Sequence, residues 1–387
     1  MPDTIILALN SGSSSLKFGL FTASHDEVRP LCSGAAEGIG SNQGRFWIHG
    51  AKGEVLKDEP HAFAKQEEAV RAVAEASGRL PFPAPAAIGH RIVHGGPKLR
   101  EHQKITPEVL TQLEAAASFA PLHVPIALSM IRQAQQHFPG VPQFACFDTA
   151  FHRTMPEAAS RFALPRKFWD AGVRRYGFHG LSCESVLHRL GADVPPRMII
   201  AHLGNGASIT AIANGASIDT TMGLTPTGGI VMSTRTGDLD PGVLLYILRT
   251  SGSHVEELEE LLDKESGLLG ISGISGDMRL LHQTPDDPAL CAVEIFCRTA
   301  KKAIGAFIAI LGGLDLLVFT AGIGEHDAGV RAQICSGLDS LGIVLDSHNN
   351  ESNSETISSE ASRVLVRVLP SEEEIQIARN TYRLLSH

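Results

Sequence analysis

The chain has 387 residues, 43% hydrophobic and 19% charged, with 42 Asp and Glu against 33 Lys and Arg for a formal net charge of −9. That length exceeds what one hydrophobic core usually organises, so two domains are expected, and the apolar content excludes disorder as the main state. The negative balance argues against a nucleic-acid partner, and the longest apolar runs, such as 314–320, are far shorter than the roughly 20 residues of a membrane helix.

Met1-Pro2-Asp3 leads straight into an apolar run without the basic flank of a secretory signal, which predicts a cytoplasmic protein. Six cysteines, none spaced Cys-x-x-Cys, suggest reduced thiols rather than a disulfide scaffold or zinc site.

The runs 4–9 and 16–21 read as a hairpin around Asn10-Ser11-Gly12-Ser13-Ser14-Ser15. Backbone N–H groups, serine hydroxyls and Lys17 there can donate to phosphate oxygens, and Asn10 can reach a metal or its waters. Next, Ile88 to Gly96 ends an apolar strand with His90, Arg91 and His94, where an arginine can hold a carboxylate or phosphoryl group bidentately or make an ordinary surface salt bridge. Pro107–Ala117 has helical spacing. After a further strand ending at Phe147, Asp148 is placed either to bind metal, to orient an arginine or to cap a turn.

Tyr176-Gly177-Phe178-His179-Gly180 sets a histidine among aromatics and glycines. The hairpin device then recurs, about half the chain later: the run 198–203, the loop Gly204-Asn205-Gly206-Ala207-Ser208, the run 209–213 and an Asn214-Gly215 turn. Repetition at that distance suggests two domains descended from one unit. Thr225 to Asp238 is too rich in glycine for a core helix and reads as a loop carrying Arg235, and Ile274 to Arg279 as a short polar turn able to meet a nucleoside. Leu314–Thr320 is a strand followed by an Ala321-Gly322-Ile323-Gly324-Glu325-His326 turn, with helical spacing over 291–311 before it. Runs 341–345 and 364–369 look strand-like, 347–362 reads as a solvated loop, and 372–385 as a closing amphipathic helix.

In this order the segments Asn10–Lys17, Gly89–Gly96, Ala120–His123, Phe147–His152, Tyr176–Gly180, His202–Ser208, Thr234–Pro241 and Phe319–Glu325 resemble the acetate kinase family, within the acetate and sugar kinase, heat-shock protein 70 and actin superfamily. The resemblance implies an α/β protein of two ribonuclease-H-like domains from a duplicated unit with an interdomain active-site cleft. Residues 1–149, closed by a helix over 371–387, would form the first domain and 150–370 the second, which binds nucleotide and dimerises. It implies reversible transfer of the γ-phosphoryl group of ATP to acetate, giving ADP and acetyl phosphate, with Mg2+ (or Mn2+ in its place) and a homodimer.

Carried over residue by residue, Arg91, Asp148, His179, Arg235 and His123 become catalytic, and Arg91, Val93, Leu122, Phe178 and Pro226 bind the acid. Lys17, His202, Gly204, Asn205, Gly206, Asp277, Met278, Arg279, Gly322, Ile323 and Gly324 take the nucleotide, and Asn10 and Glu373 the metal. Val124, Leu181-Ser182-Cys183, Thr227-Gly228, Ser233 and His326 depart from the family's usual residues. Propionate or butyrate kinase is the neighbouring reading, and a nucleotide-driven chaperone or filament protein of the same superfamily is the reading from another class.

Overall fold

A strand that is apolar along its whole length has to be covered on both faces. In Thr4–Ser11 (β1) the apolar run 5–9 meets that condition, and every residue from Ile5 onward is buried. The computed structural model, which describes residues 3–386 except 13, 26, 80, 81 and 285, places β1 inside an eight-stranded sheet. Ser13 of the first loop, and Met1, Pro2 and His387, lie outside the described residues.

The chain divides into two compact units: residues 1–150, 180–185 and 372–387, and residues 151–179 with 186–371. In the first, β1 continues through Ser15–Ala23 (β2), Val28–Glu37 (β3), Arg45–Gly50 (β4) and Val55–Pro60 (β5), then Ala87–Ile92 (β6), Gln103–Lys104 (β7) and Gln143–Phe147 (β8). Sheet order is β5-β4-β3-β2-β1-β6-β8-β7. β5 carries Lys57, Asp58, Glu59 and Pro60, the charged and proline residues that blunt an open edge.

In the second unit Arg197–Leu203 (β9), Ala207–Ala213 (β10), Ala216–Thr220 (β11), Leu316–Thr320 (β12) and Leu365–Val368 (β13) form a sheet of order β11-β10-β9-β12-β13. The core β3-β2-β1-β6-β8 and this sheet share one plan: two antiparallel pairings on one side of the first strand and two parallel ones on the other. The fold is therefore α/β, with two ribonuclease-H-like units, and the repeated hairpins of the sequence are the first two strands of each.

Close helix packing finishes both units. The C-terminal helix Glu373–Leu385 approaches β6 so nearly that a Cβ on Gly89 would lie 2.2 Å from Thr381 Oγ1. The long helix Asp287–Leu311 starts where the Asp286 side chain accepts from the Ala289 N–H and stops at Gly312 (φ 68°). Residues 180–185 group with the first unit, whereas the sequence reading ran the second domain unbroken from 150 to 370. Leu181 is fully buried there against Ile6, Cys146 and Ile377. Val124 and Cys183, two departures from the family pattern, are likewise buried, at 1% exposure each.

Four local expectations change. Ala321–His326 is a helix, not a turn, because the Glu325 carboxylate accepts from the Ala321 N–H (2.8 Å) and stabilises its first turn. Asp277 caps a second helix, Met278–Gln283, where a polar turn was expected. Residues 341–345 form no strand: a short 3-10 turn covers Asp339–Leu341, and Leu345 makes a single bridge to Ser358. The stretch 347–362 is not merely solvated, since it holds the helix Ser347–Glu351 and buries Asn350 and Ile357.

Candidate active site

Parallel strands end where their loops begin, and chemistry collects there. At the end of β6, Arg91 donates through Nε (2.9 Å) and Nη2 (2.5 Å) to Asp148 Oδ2, and through Nη1 to the Ser11 carbonyl (2.8 Å). Asp148 follows β8, and its N–H is fixed to the Ile92 carbonyl. The pair is nearly dry, with side chains 15% and 0% exposed. Burial opposes the Arg91 charge, but Asp148, Glu373 and Glu374 outweigh it and raise its pKa. Burial raises the Asp148 carboxyl, helped by Glu373 and opposed by Arg91. Asp148 thus orients an arginine, and its other oxygen, Oδ1, is buried without a partner among the described residues.

The metal candidates also meet: Asn10 Nδ2 donates to Glu373 Oε2 (2.9 Å) and to Glu374 Oε1 (2.8 Å). Glu374 escaped the sequence reading because three consecutive acids, 372–374, give no spacing by which to choose among them. Burial and the neighbouring Glu373 raise its carboxyl, while Lys17, paired opposite Asn10 across the hairpin, lowers it. An orphaned carboxylate oxygen and two crowded acids are an oxygen-rich set short of positive charge, which fits a hard divalent cation. No cluster of three or more acid, His or Cys ligands occurs among the described residues, so such an ion would also need phosphate oxygens and water. Val93 is half-buried beside β6, Leu122 is 38% exposed, and His123 stands at the start of the helix Val124–His137.

His90 points the other way along β6: it is 2% exposed, and its Nε2 lies 2.6 Å from Gln143 Oε1. Burial lowers its pKa from 6.5 to about 4, so the folded protein keeps it neutral. The unfolded chain takes up that proton first. Stability from His90 is therefore complete above pH 6.5 and lost as pH falls toward 4, by up to about 3 kcal/mol. Urea midpoints between pH 7 and 4.5 are expected to fall less for His90→Gln than for the unchanged protein; parallel slopes would refute this.

In the second unit the residue types converge equally closely. His179 has the left-handed conformation (φ 58°), starts the helix Gly180–Leu190, meets Ser208 Oγ through Nδ1 (3.0 Å) and stacks on His202 at 4.1 Å. A Cβ on Gly206 would come 3.1 Å from His179 Nε2 and 3.5 Å from Arg235 Nη1, so glycine leaves the space these two side chains border. The Arg235 loop is built of backbone bonds: Met232 N–H to Arg235 O (3.2 Å), Ser233 N–H to Asn205 O (3.1 Å) and Ser266 N–H to Thr234 O (3.0 Å). Arg235 Nη1 also donates to the Pro226 carbonyl (3.3 Å). Phe178 is buried, and its carbonyl meets His152 Nε2 (2.9 Å).

Gly204 borders the start of the Ala321–His326 helix, with a Cβ there 3.6 Å from the Ala321 Cβ and 4.0 Å from the Gly322 nitrogen. Gly322 is exposed, Ile323 half-buried and Gly324 buried. Asp277 and Arg279 pair with each other (Nη2 to Oδ2, 2.6 Å), and Met278 is buried. The Ser233 hydroxyl bonds the Gly276 carbonyl (2.6 Å), so the Arg235 loop and the Asp277 cap share a support. Two supports went unread in the sequence. Glu325 ties the helix start to the Ser371 N–H (2.9 Å), and Arg331, fully buried, donates to the Gly324 carbonyl (2.9 Å), Asn350 and Asn353. No local signal marks an arginine that is bound by carbonyls.

Each unit thus offers an arginine near small, oxygen- or amide-rich turns, groups of the kind that bind anions, on a ribonuclease-H-like fold. More particularly, the chain belongs to the acetokinase family, whose pattern residues 5–379 match. It is 43% identical to an acetate kinase of Methylocella silvestris over 98% of both chains, and 42% identical to one of Streptomyces coelicolor over 100% of this chain and 98% of that one. Among solved structures it resembles a propionate kinase from Francisella tularensis (TM-score 0.89, 38% identity, 98% of this chain and 100% of that one). It is also similar to an acetate kinase from Porphyromonas gingivalis (TM-score 0.85, 36% identity, 99% and 100%).

Proposed function

We propose that this protein is an acetate kinase, moving the γ-phosphoryl group of ATP reversibly to acetate by in-line attack of the carboxylate. The observation that carries the reading, beside the family, is Arg91 held by Asp148 in one unit and, in the other, Arg235 and His179 both bordering Gly206. Acetate is already ionised at neutral pH and needs no general base. The task left to the protein is electrostatic: Arg91, Arg235 and His179 donate to the equatorial oxygens as charge spreads over the moving phosphoryl group. His123 helps hold the anions, Val93, Leu122, Phe178 and Pro226 bound the methyl group, and Lys17, His202, Gly204, Asn205 and Gly206 hold the phosphates. Asp277, Met278, Arg279 and Gly322 to Gly324 receive the nucleoside. Asn10 and Glu373, with Glu374 and Asp148, would hold Mg2+ (or Mn2+). When bound, that ion neutralises phosphate charge.

Hydroxylamine trapping of acyl phosphate from purified protein, MgATP and a panel of short acids tests this directly. Hydroxamate is expected fastest with acetate; faster product with propionate or butyrate would move the reading to that acid, since one methylene is worth only about 1–3 kcal/mol. Filament formation with ATP and no hydroxamate would favour the non-catalytic alternative.

The likeness to a propionate kinase keeps that second acid in view. No helix of the described residues is long and apolar enough to cross a membrane. Cys32, Cys146, Cys291, Cys297 and Cys335 are free thiols, and the cytoplasm, which keeps thiols reduced, is the proposed setting.

A homodimer is the proposed assembly. Helix Pro241–Ser251 is apolar yet buries none of its residues in its own chain, leaving Leu245 51% and Tyr246 67% exposed. A second copy would cover that face. Leu245→Asp/Tyr246→Glu is expected to halve the mass seen by light scattering; an unchanged dimer would place the contact elsewhere.

A further inference from the structure

Next to Asp148 lies a largely buried acid–imidazole pair that the transfer reaction does not use. His102 precedes β7, the strand that pairs with β8, and its side chain is 5% exposed. Its Nδ1 accepts from the Phe147 N–H (3.0 Å), so the imidazole proton must sit on Nε2. That nitrogen faces Glu184 at 3.0 Å and 3.2 Å. Glu184 Oε2 also accepts from Asn380 Nδ2 (2.8 Å) and Gln376 Nε2 (3.3 Å) of the C-terminal helix. Burial raises the Glu184 carboxyl, but these bonds outweigh it and keep it ionised, below its ordinary pKa.

Phe147 is the residue before Asp148. We propose that Glu184 and His102 are positioning residues for Asp148: the carboxylate selects the imidazole tautomer, and the bare Nδ1 anchors the backbone that aims Asp148 at Arg91. The proposal rests on the reading of Asp148 and Arg91 as parts of the reacting site. Its logic is directional. A glutamine in place of Glu184 has one accepting oxygen, and Asn380 and Gln376 donate to it from one side. Its NH2 then faces His102, which must shift its proton to Nδ1, where it meets the Phe147 N–H head on. Asp148 loses its anchor although no group touching substrate has changed.

Glu184→Gln is expected to lower kcat between about 10- and 100-fold, the range for support of a reacting group, with KM for ATP within about twofold because the nucleotide side is untouched. Moving the acid across the hydrogen bond in Glu184→Gln/Asn380→Asp lets the introduced amide donate to the new carboxylate and turn its oxygen back to His102, restoring most of the lost kcat. Imidazole 15N spectra of the unaltered protein are expected to show His102 protonated at Nε2 and bare at Nδ1. Wild-type kcat in the single variant, a double variant no faster than the single one, or a protonated Nδ1 would overturn the proposal. If the unaltered protein forms no hydroxamate, the phosphotransfer reading fails instead, and the spectra still judge the tautomer.

Discussion

Arg235→Ala is expected to reduce turnover by about a hundred- to a thousandfold while leaving stability within roughly 1 kcal/mol. The two halves of that expectation have separate causes. Removing one preorganised donor from the developing charge of a phosphoryl group costs about 2.7–4 kcal/mol of barrier. Stability is spared because backbone bonds shape the Arg235 loop: Leu268 N–H to Met232 O (2.9 Å) and Thr236 N–H to Leu262 O (3.2 Å) do not involve the side chain. The guanidinium is only partly buried and donates to a neutral carbonyl. Steady-state kinetics beside thermal melts check both halves. Lysine should recover little, because it lacks the planar fork. Turnover within tenfold of the unaltered protein would remove Arg235 from the reacting group.

What the sequence reveals of such a site depends on how local its cause is. The hairpins at Asn10–Lys17 and Gly204–Ser208 were legible because apolar runs broken by Asn, Gly and Ser have few other solutions. Strand-end placement of Arg91 and Asp148 followed from the same punctuation. The helix at Ala321–His326 was not legible, since two glycines in six residues argue against a helix; Glu325 stabilises it by reaching back to the Ala321 N–H, and Arg331, from beyond the segment, by holding the Gly324 carbonyl. Ala321 itself takes φ 65°, a costly conformation for a residue with a Cβ, and His179 does the same at 58°. Neither side chain announces that. Partnerships such as Asn10 with Glu373 and Glu374 span nearly the whole chain, and only the packing of the last helix against β1 and β6 creates them.

Arg91→Ala should lose as much turnover as the Arg235 variant, but it should also lose stability, and the difference between the two arginines is the sharper test. Asp148 is 0% exposed, and its Oδ2 takes both the Nε and Nη2 bonds of Arg91. Without the arginine a carboxylate remains in a dry site with Oδ1 already unpartnered among the described residues. Breaking a buried pair on one side typically costs about 3–5 kcal/mol. Protonation limits that cost. Burial already raises the Asp148 pKa, and loss of Arg91 removes the main group opposing the rise. A carboxyl with its folded pKa raised contributes stability at low pH that disappears as pH climbs through that pKa. The melting temperature of Arg91→Ala should accordingly fall furthest below the unaltered protein near pH 8 and draw closer toward pH 5. Adding Asp148→Asn removes the stranded charge, so Arg91→Ala/Asp148→Asn is expected to recover stability at pH 8 and none of the turnover. A gap in melting temperature that does not vary with pH would mean that Asp148 is not the group left charged, and full turnover in either variant would mean that the pair does not face the transferring phosphoryl group.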